Sequence, residues 1–217
     1  MYIMTHVFFK PWVGDHYFGK GFKGKRIMIL GESHYCGKQS SGVCDCRTVR
    51  DGGCLEFTTG VMHRFLNRAD NNAEHEGWMN TFTKFGNALT DSKLDDDEQK
   101  ELWNSLLFYN YLQVALESPR QAGEGADYEQ SAEALFEVLE QCRPEYIIVW
   151  GYRLWDYLPG GDCWEWDDDV IVDGTVIKNG WYLLADGTKI RTFPIYHPSV
   201  PFDLEYWHKV MNTILNR

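Results

Sequence analysis

The sequence predicts an α/β fold: a three-layer α/β/α sandwich around a central, mostly parallel, four-stranded sheet, with one β-hairpin inserted late in the chain. Three observations lead there. Four short apolar runs each stop at a turn or polar residue, amphipathic stretches of helical period separate them, and 217 residues is a length that one domain accommodates. Strands that alternate with helices pair in parallel and are covered on both faces, because each crossover helix must bury its apolar stripe against the sheet.

The elements follow in order. Residues 27–30 (Ile-Met-Ile-Leu) run into Gly31, the form of a buried strand that ends at a turn. Residues 106–112, 146–150 and 190–196 read the same way. Helical patterns occupy residues 60–67, 78–89 and 97–106. The clearest covers 128–142, where Ala132, Leu135, Phe136, Leu139 and Cys142 follow the i, i+3, i+4, i+7 spacing. A last helix over 203–215 aligns Leu204, Trp207, Met211 and Ile214, with Asp203 as its N-cap. Around residues 165–188 the alternation breaks: Ile171 and Val172, then Asp173-Gly174, then residues 175–177 predict a β-hairpin insertion. No internal repeat or low-complexity linker interrupts the chain, so residues 1–217 read as one domain.

Composition narrows the function. The 44% hydrophobic and 15% aromatic content furnishes a core, and nine tryptophans with twelve tyrosines also offer faces that stack on flat ligands. The net charge of −11 argues against sequence-blind coating of nucleic acid. Its distribution is uneven: residues 1–50 carry eight Lys/Arg against three Asp/Glu, and the remainder thirteen against twenty-nine. The basic set (Lys10, Lys20, Lys23, Lys25, Arg26, Lys38, Arg47 and Arg50) is either a solvated face or a phosphate-contacting edge. Residues 1–10 lack the pattern of a secretory leader, and no run approaches the roughly 18 apolar residues of a membrane span. A cytoplasmic protein with reduced thiols is expected.

In open parallel sheets ligands sit at the carboxyl ends of the strands, which directs attention to residues 31–35, Asn110, Gly151 and His197. Four segments fall at those ends. They are Gly31-Glu32-Ser33-His34-Tyr35, then Leu107-Phe108-Tyr109-Asn110-Tyr111-Leu112, then Ile148-Val149-Trp150-Gly151, and finally His197-Pro198-Ser199. In this order they resemble the signature blocks of the uracil-DNA glycosylase superfamily: GQDPYH or GEAPG, LLLN, LLWG and HPS. The resemblance covers the chain from about residue 26 onward, apart from the hairpin. It implies a uracil-DNA glycosylase-like domain that hydrolyses the N-glycosidic bond of uracil or a related deaminated base in DNA. Its partner would be single-stranded or mispaired DNA, and no cofactor would be required.

What the resemblance implies can be set out residue by residue. An enzyme of this kind rotates its target nucleotide out of the stack and grips the freed base. Asn110, with one acceptor and two donors, would read the edge of uracil. Phe57, in a Phe57-Thr58-Thr59-Gly60 segment similar to one in the iron–sulfur branch, would stack on the base; core packing is its other reading. His197, beside Ser199, would stabilise negative charge on the departing base. Phe202 would wedge into the duplex or anchor the last helix. Gly31, at the strand end, would belong to the substrate-binding set, and Tyr35 would exclude a thymine methyl.

The first block departs from the pattern. Ser33 stands where the main branch has a water-orienting aspartate, and His34 stands where proline is usual. Glu32, Ser33 and His34 are the candidates to line the water side. A glycosylase-like module that binds a base or nucleic acid with little or no cleavage is the competing reading. Cys36, Cys44, Cys46 and Cys54 lie close enough in sequence to be candidates for enclosing Zn²⁺ tetrahedrally, but C-x7-C-x-C-x7-C is not a common zinc or iron–sulfur spacing, so no metal is assigned and reduced, unliganded thiols are the other reading. Other chemistries find little support. Residues 31–35 lack the second glycine of a G-x-S-x-G elbow, Gly19-Lys20-Gly21 lacks a P-loop ending, and G-x-G-x-x-G does not follow the first strand.

Overall fold

The four apolar runs become the parallel heart of one sheet. The computed structural model describes residues 4–36, residue 46 and residues 52–217. In chain order the elements are β1 (Trp12–Val13), β2 (Ile27–Gly31), β3 (His34–Tyr35), α1 (Phe57–Leu66), α2 (Met79–Thr90), α3 (Asp96–Asn104), β4 (Leu107–Asn110), β5 (Ala115–Leu116) and α4 (Gly125–Cys142). Then come β6 (Tyr146–Trp150), α5 (Tyr152–Tyr157), β7 (Trp164–Trp166), β8 (Val170–Val172), β9 (Thr175–Ile177), β10 (Gly180–Leu183), β11 (Lys189–Ile195) and α6 (Leu204–Leu215).

Among the described residues the main sheet has seven strands, in the order β1-β4-β2-β6-β11-β10-β7. Its inner four, β4-β2-β6-β11, are mutually parallel. The expected four-stranded sheet is therefore corrected to seven, because β1, β10 and β7 add antiparallel flanks. The hairpin expectation is refined as well. Asp173 and Gly174 turn β8 into β9 with left-handed φ values of 47° and 77°, as a two-residue hairpin turn requires. The strands around it, β7 and β10, belong to the main sheet rather than to a separate insertion. Gly180 is required where they meet, since a Cβ there would lie 2.4 Å from the Trp164 ring.

Alternation along the inner strands divides the core. Ile27, Ile29, Phe108, Ile148, Trp150, Phe193 and Ile195 face α1, α2, α3 and α6, whereas Met28, Leu30, Leu107, Tyr109, Ile147, Val149 and Ile190 face α4 and α5. Every residue of Ile27–Leu30 is fully buried, the two-sided burial that makes a central parallel strand a continuous apolar run. Caps fix the helix entries: Asp95 and Glu98 form a reciprocal capping box on α3, and Asp203 accepts from the Tyr206 N–H at the start of α6. No helix among the described residues is long and apolar enough to cross a membrane.

Candidate active site

Parallel pairing places the ends of β2, β4, β6 and β11 along one rim. Register sets Gly31 beside Asn110, and the Gly151 N–H donates to the Ile195 carbonyl at 2.9 Å, which brings the β6 and β11 exits together. Gly31, a substrate-binding candidate, makes room for a neighbouring side chain. A Cβ there would lie 2.2 Å from Asn110 Oδ1, so only glycine lets the Asn110 side chain cross the end of β2.

On one side of the rim the polar groups are closed over. His34 is 4% exposed, and its ring stacks on Phe57 with centroids 4.4 Å apart and planes 11° from parallel. The Asn110 amide nitrogen lies 3.1 Å from His34 Nδ1 and 3.3 Å from Nε2. Near-equality of those distances puts the carboxamide over the imidazole rather than end-on to one nitrogen. Thr58, fully buried, contacts Nε2 through its hydroxyl at 2.9 Å, and Phe9 meets the ring edge-on at 5.0 Å. Burial pushes the His34 pKa down to about 3, so the ring is neutral at ordinary pH. The expectation that His34 lines an open water side is thus corrected: the side chain turns inward, where an aromatic stack and a hydroxyl hold it.

The other side is a charge pair at a mouth. Glu32, 9% exposed, receives Arg153 in a forked contact, Nε to Oε1 at 2.8 Å and Nη2 to Oε2 at 2.6 Å, and the Tyr128 phenol donates to the same carboxylate. The Glu32 hydrogen bond holds Arg153 above its ordinary pKa; burial, then Glu32, raises that of Tyr128. Glu32 therefore does not stand free beside water as expected, since both oxygens are engaged. His197 sits within electrostatic reach of this pair. Burial holds its pKa below the ordinary value, opposed by Glu32 and reinforced by Arg153. Its Nδ1 accepts from the Ser199 N–H at 3.2 Å, and Ser199 Oγ lies 2.8 Å away. A backbone N–H can only donate, so the neutral ring carries its proton on Nε2. Ser199 thus orients His197 from behind.

The remaining candidates divide. Ser33 Oγ is buried with no hydrogen-bond partner among the described residues. Tyr35 is 41% exposed and lies near Arg153 rather than over Phe57. Of the two readings of Phe202 the structure supports the anchor: its half-buried ring stacks on Trp207 at 5.9 Å and 13°, while Val200 and Pro201 of the same loop are exposed. Cys46 is buried, Cys36 and Cys54 pack against the same core, and Cys44 lies outside the described residues. Lys38, Arg47 and Arg50 of the basic set are outside them too. Among the described residues no group of three or more His, Cys, Asp or Glu side chains is arranged to hold a metal ion.

Phe9, Thr58, Tyr128 and Arg153 join the site without being foreseen. Thr58 adjoins Phe57 and was the nearest to legible; Arg153 meets Glu32 across 121 positions, beyond any local pattern. Beside His197, a cleft of about 240 Å³ is lined chiefly by Tyr152, Tyr196, Pro201, Tyr206 and Trp207. Comparison of the sequence with protein-family models and with curated proteins finds no match.

Proposed function

We propose that the chain is a base-excision hydrolase of the uracil-DNA glycosylase type, acting on uracil or a related deaminated base in DNA. One observation carries the reading: an aromatic face (Phe57), a carboxamide (Asn110) and an imidazole oriented to donate through Nε2 (His197) converge on one rim from separate elements. These are the groups that a flipped base needs for stacking, edge recognition and departure. The placement in that superfamily rests on the four sequence blocks, each of which falls at the rim. In the reaction, the water oxygen bonds the sugar carbon as the glycosidic bond breaks, the bonding electrons leave with the base, the His197 N–H stabilises the charge that gathers on its carbonyl oxygen, and the proton shed by water ends on the departed base.

The Glu32–Arg153 pair favours a second reading, a module that holds a base without cutting it, because the carboxylate is already neutralised. Labelled uracil-containing oligonucleotides, single-stranded and mispaired, decide between the two after alkaline treatment. Strand breaks with wild type, strongly reduced with His197→Ala, establish excision. No breaks at stoichiometric protein over long incubation remove it and leave binding.

A further inference from the structure

The slot that would grip the base is filled by the protein itself. Phe57 offers its face, Asn110 its amide and Thr58 its hydroxyl, and all three are spent on one heteroaromatic ring, the imidazole of His34. Phe9 closes the edge of the same ring. We infer that His34 is a surrogate ligand: it occupies a slot built for a single-ring nucleobase, and a base enters only when His34 swings out. The inference rests on the proposed base-gripping roles of Phe57 and Asn110 and adds what governs access to them.

Three features support it. The ring makes the contacts of a bound heterocycle, a parallel stack on an aromatic face together with a hydrogen bond between a buried hydroxyl and a ring nitrogen. Its backbone is fixed independently of those contacts, because His34 pairs with Ala115 and the Cys36 N–H donates to the Leu116 carbonyl at 2.8 Å. Withdrawal of the side chain therefore does not require the strand to unpair. Its size also limits the class of ligand: the space it occupies is that of one five-membered ring, nearer to a pyrimidine's single ring than to a purine's two. Closure lowers apparent affinity by the fraction of molecules that are open, and the loss of one stack and one hydrogen bond puts that factor at roughly tenfold to a hundredfold.

The test is calorimetric titration of the full chain with free uracil, and with adenine in parallel. His34→Ala is expected to bind uracil roughly tenfold to a hundredfold more tightly than wild type, with a smaller gain for adenine. Adding Phe57→Ala to it should abolish that gain. Equal uracil affinity in wild type and His34→Ala overturns the inference, as does a gain that survives loss of Phe57. Should the variant not fold, wild type answers by NMR: bound uracil must shift the His34 ring protons as they leave the shielding of Phe57, and unmoved resonances at saturation overturn the inference. Failure of the excision reading is separable. If His34→Ala gains base affinity while no version cuts uracil DNA, surrogate occupancy stands and excision falls; cutting without any such gain reverses the two.

Discussion

Within five residues after β2 the chain supplies two regions of opposite character. His34 is neutral, buried and held by an aromatic ring, a carboxamide and a hydroxyl. Glu32, two positions earlier, is ionically paired with a guanidinium that is itself 40% exposed. The first region holds a flat, uncharged heterocycle, the His34 ring itself; the second stations fixed charge within electrostatic reach of His197 without leaving the Glu32 carboxylate free. On the proposed reading, recognition and chemistry would rest on different physics on the two sides of one rim, and could be broken separately.

The largest separation is expected from His197. His197→Ala should lower excision about a hundred- to a thousandfold, the usual cost of removing a positioned donor, while binding of a uracil oligonucleotide changes little. Single-turnover rates beside anisotropy titrations check both halves. If binding collapses with the rate, the two regions are not independent.

The sealed side carries a pH signature. His34 has a folded pKa of about 3 against an ordinary 6.5, so between those values the unfolded chain takes up a proton that the folded ring refuses. Its contribution to stability is complete above about pH 6.5 and declines as pH falls toward 3, by up to about 1.4 kcal/mol per pH unit. Urea unfolding at a series of pH values should show a shallower decline in His34→Asn. Equal slopes would mean that the ring is solvated.

Next in size is the charged side. Arg153→Met leaves Glu32 buried without its partner and should cost roughly 2 kcal/mol, less than for a fully buried pair because Arg153 is partly exposed. Urea midpoints measure it, and the uracil affinity of the sealed side should hardly move. The smallest effect is expected beside the site: Tyr196→Ala removes an exposed ring (53%) from the cleft next to His197 and should weaken single-stranded oligonucleotide binding by about tenfold, with the single-turnover rate at saturation unchanged.

Much of the scaffold was legible because burial on both faces imposes continuous apolar runs, and β2, β4, β6 and β11 all carry them. The flanking β1, β7 and β10 are two to four residues long, too short for a period to register. At the site, strand ends alone pointed to Gly31, Asn110 and His197. The inward turn of His34 was not legible, since it depends on Phe57 and Thr58 arriving from α1 to form a wall. Nor was the engagement of Glu32, which needs α4 and α5 to deliver Tyr128 and Arg153 to one point. Phe202 kept two readings because an aromatic residue in an exposed loop and one that anchors a helix look alike in sequence.

The short flanking strands have a colloidal consequence. An open sheet invites edge-to-edge pairing between molecules wherever a long, flat strand presents unpaired amides. Here one edge is the two-residue β1, bounded by Pro11 and Gly14, and the other is the three-residue β7, followed directly by Asp167, Asp168 and Asp169. Trp166 is 62% exposed on that second edge and would be adhesive by itself. Asp167 and Asp169 are ion-paired with Arg191 and Lys178, so it is the chain's net charge of −11, more than these carboxylates, that opposes a second copy extending the ladder. The acidity that argues against indiscriminate coating of nucleic acid therefore also works against edge-to-edge association between copies.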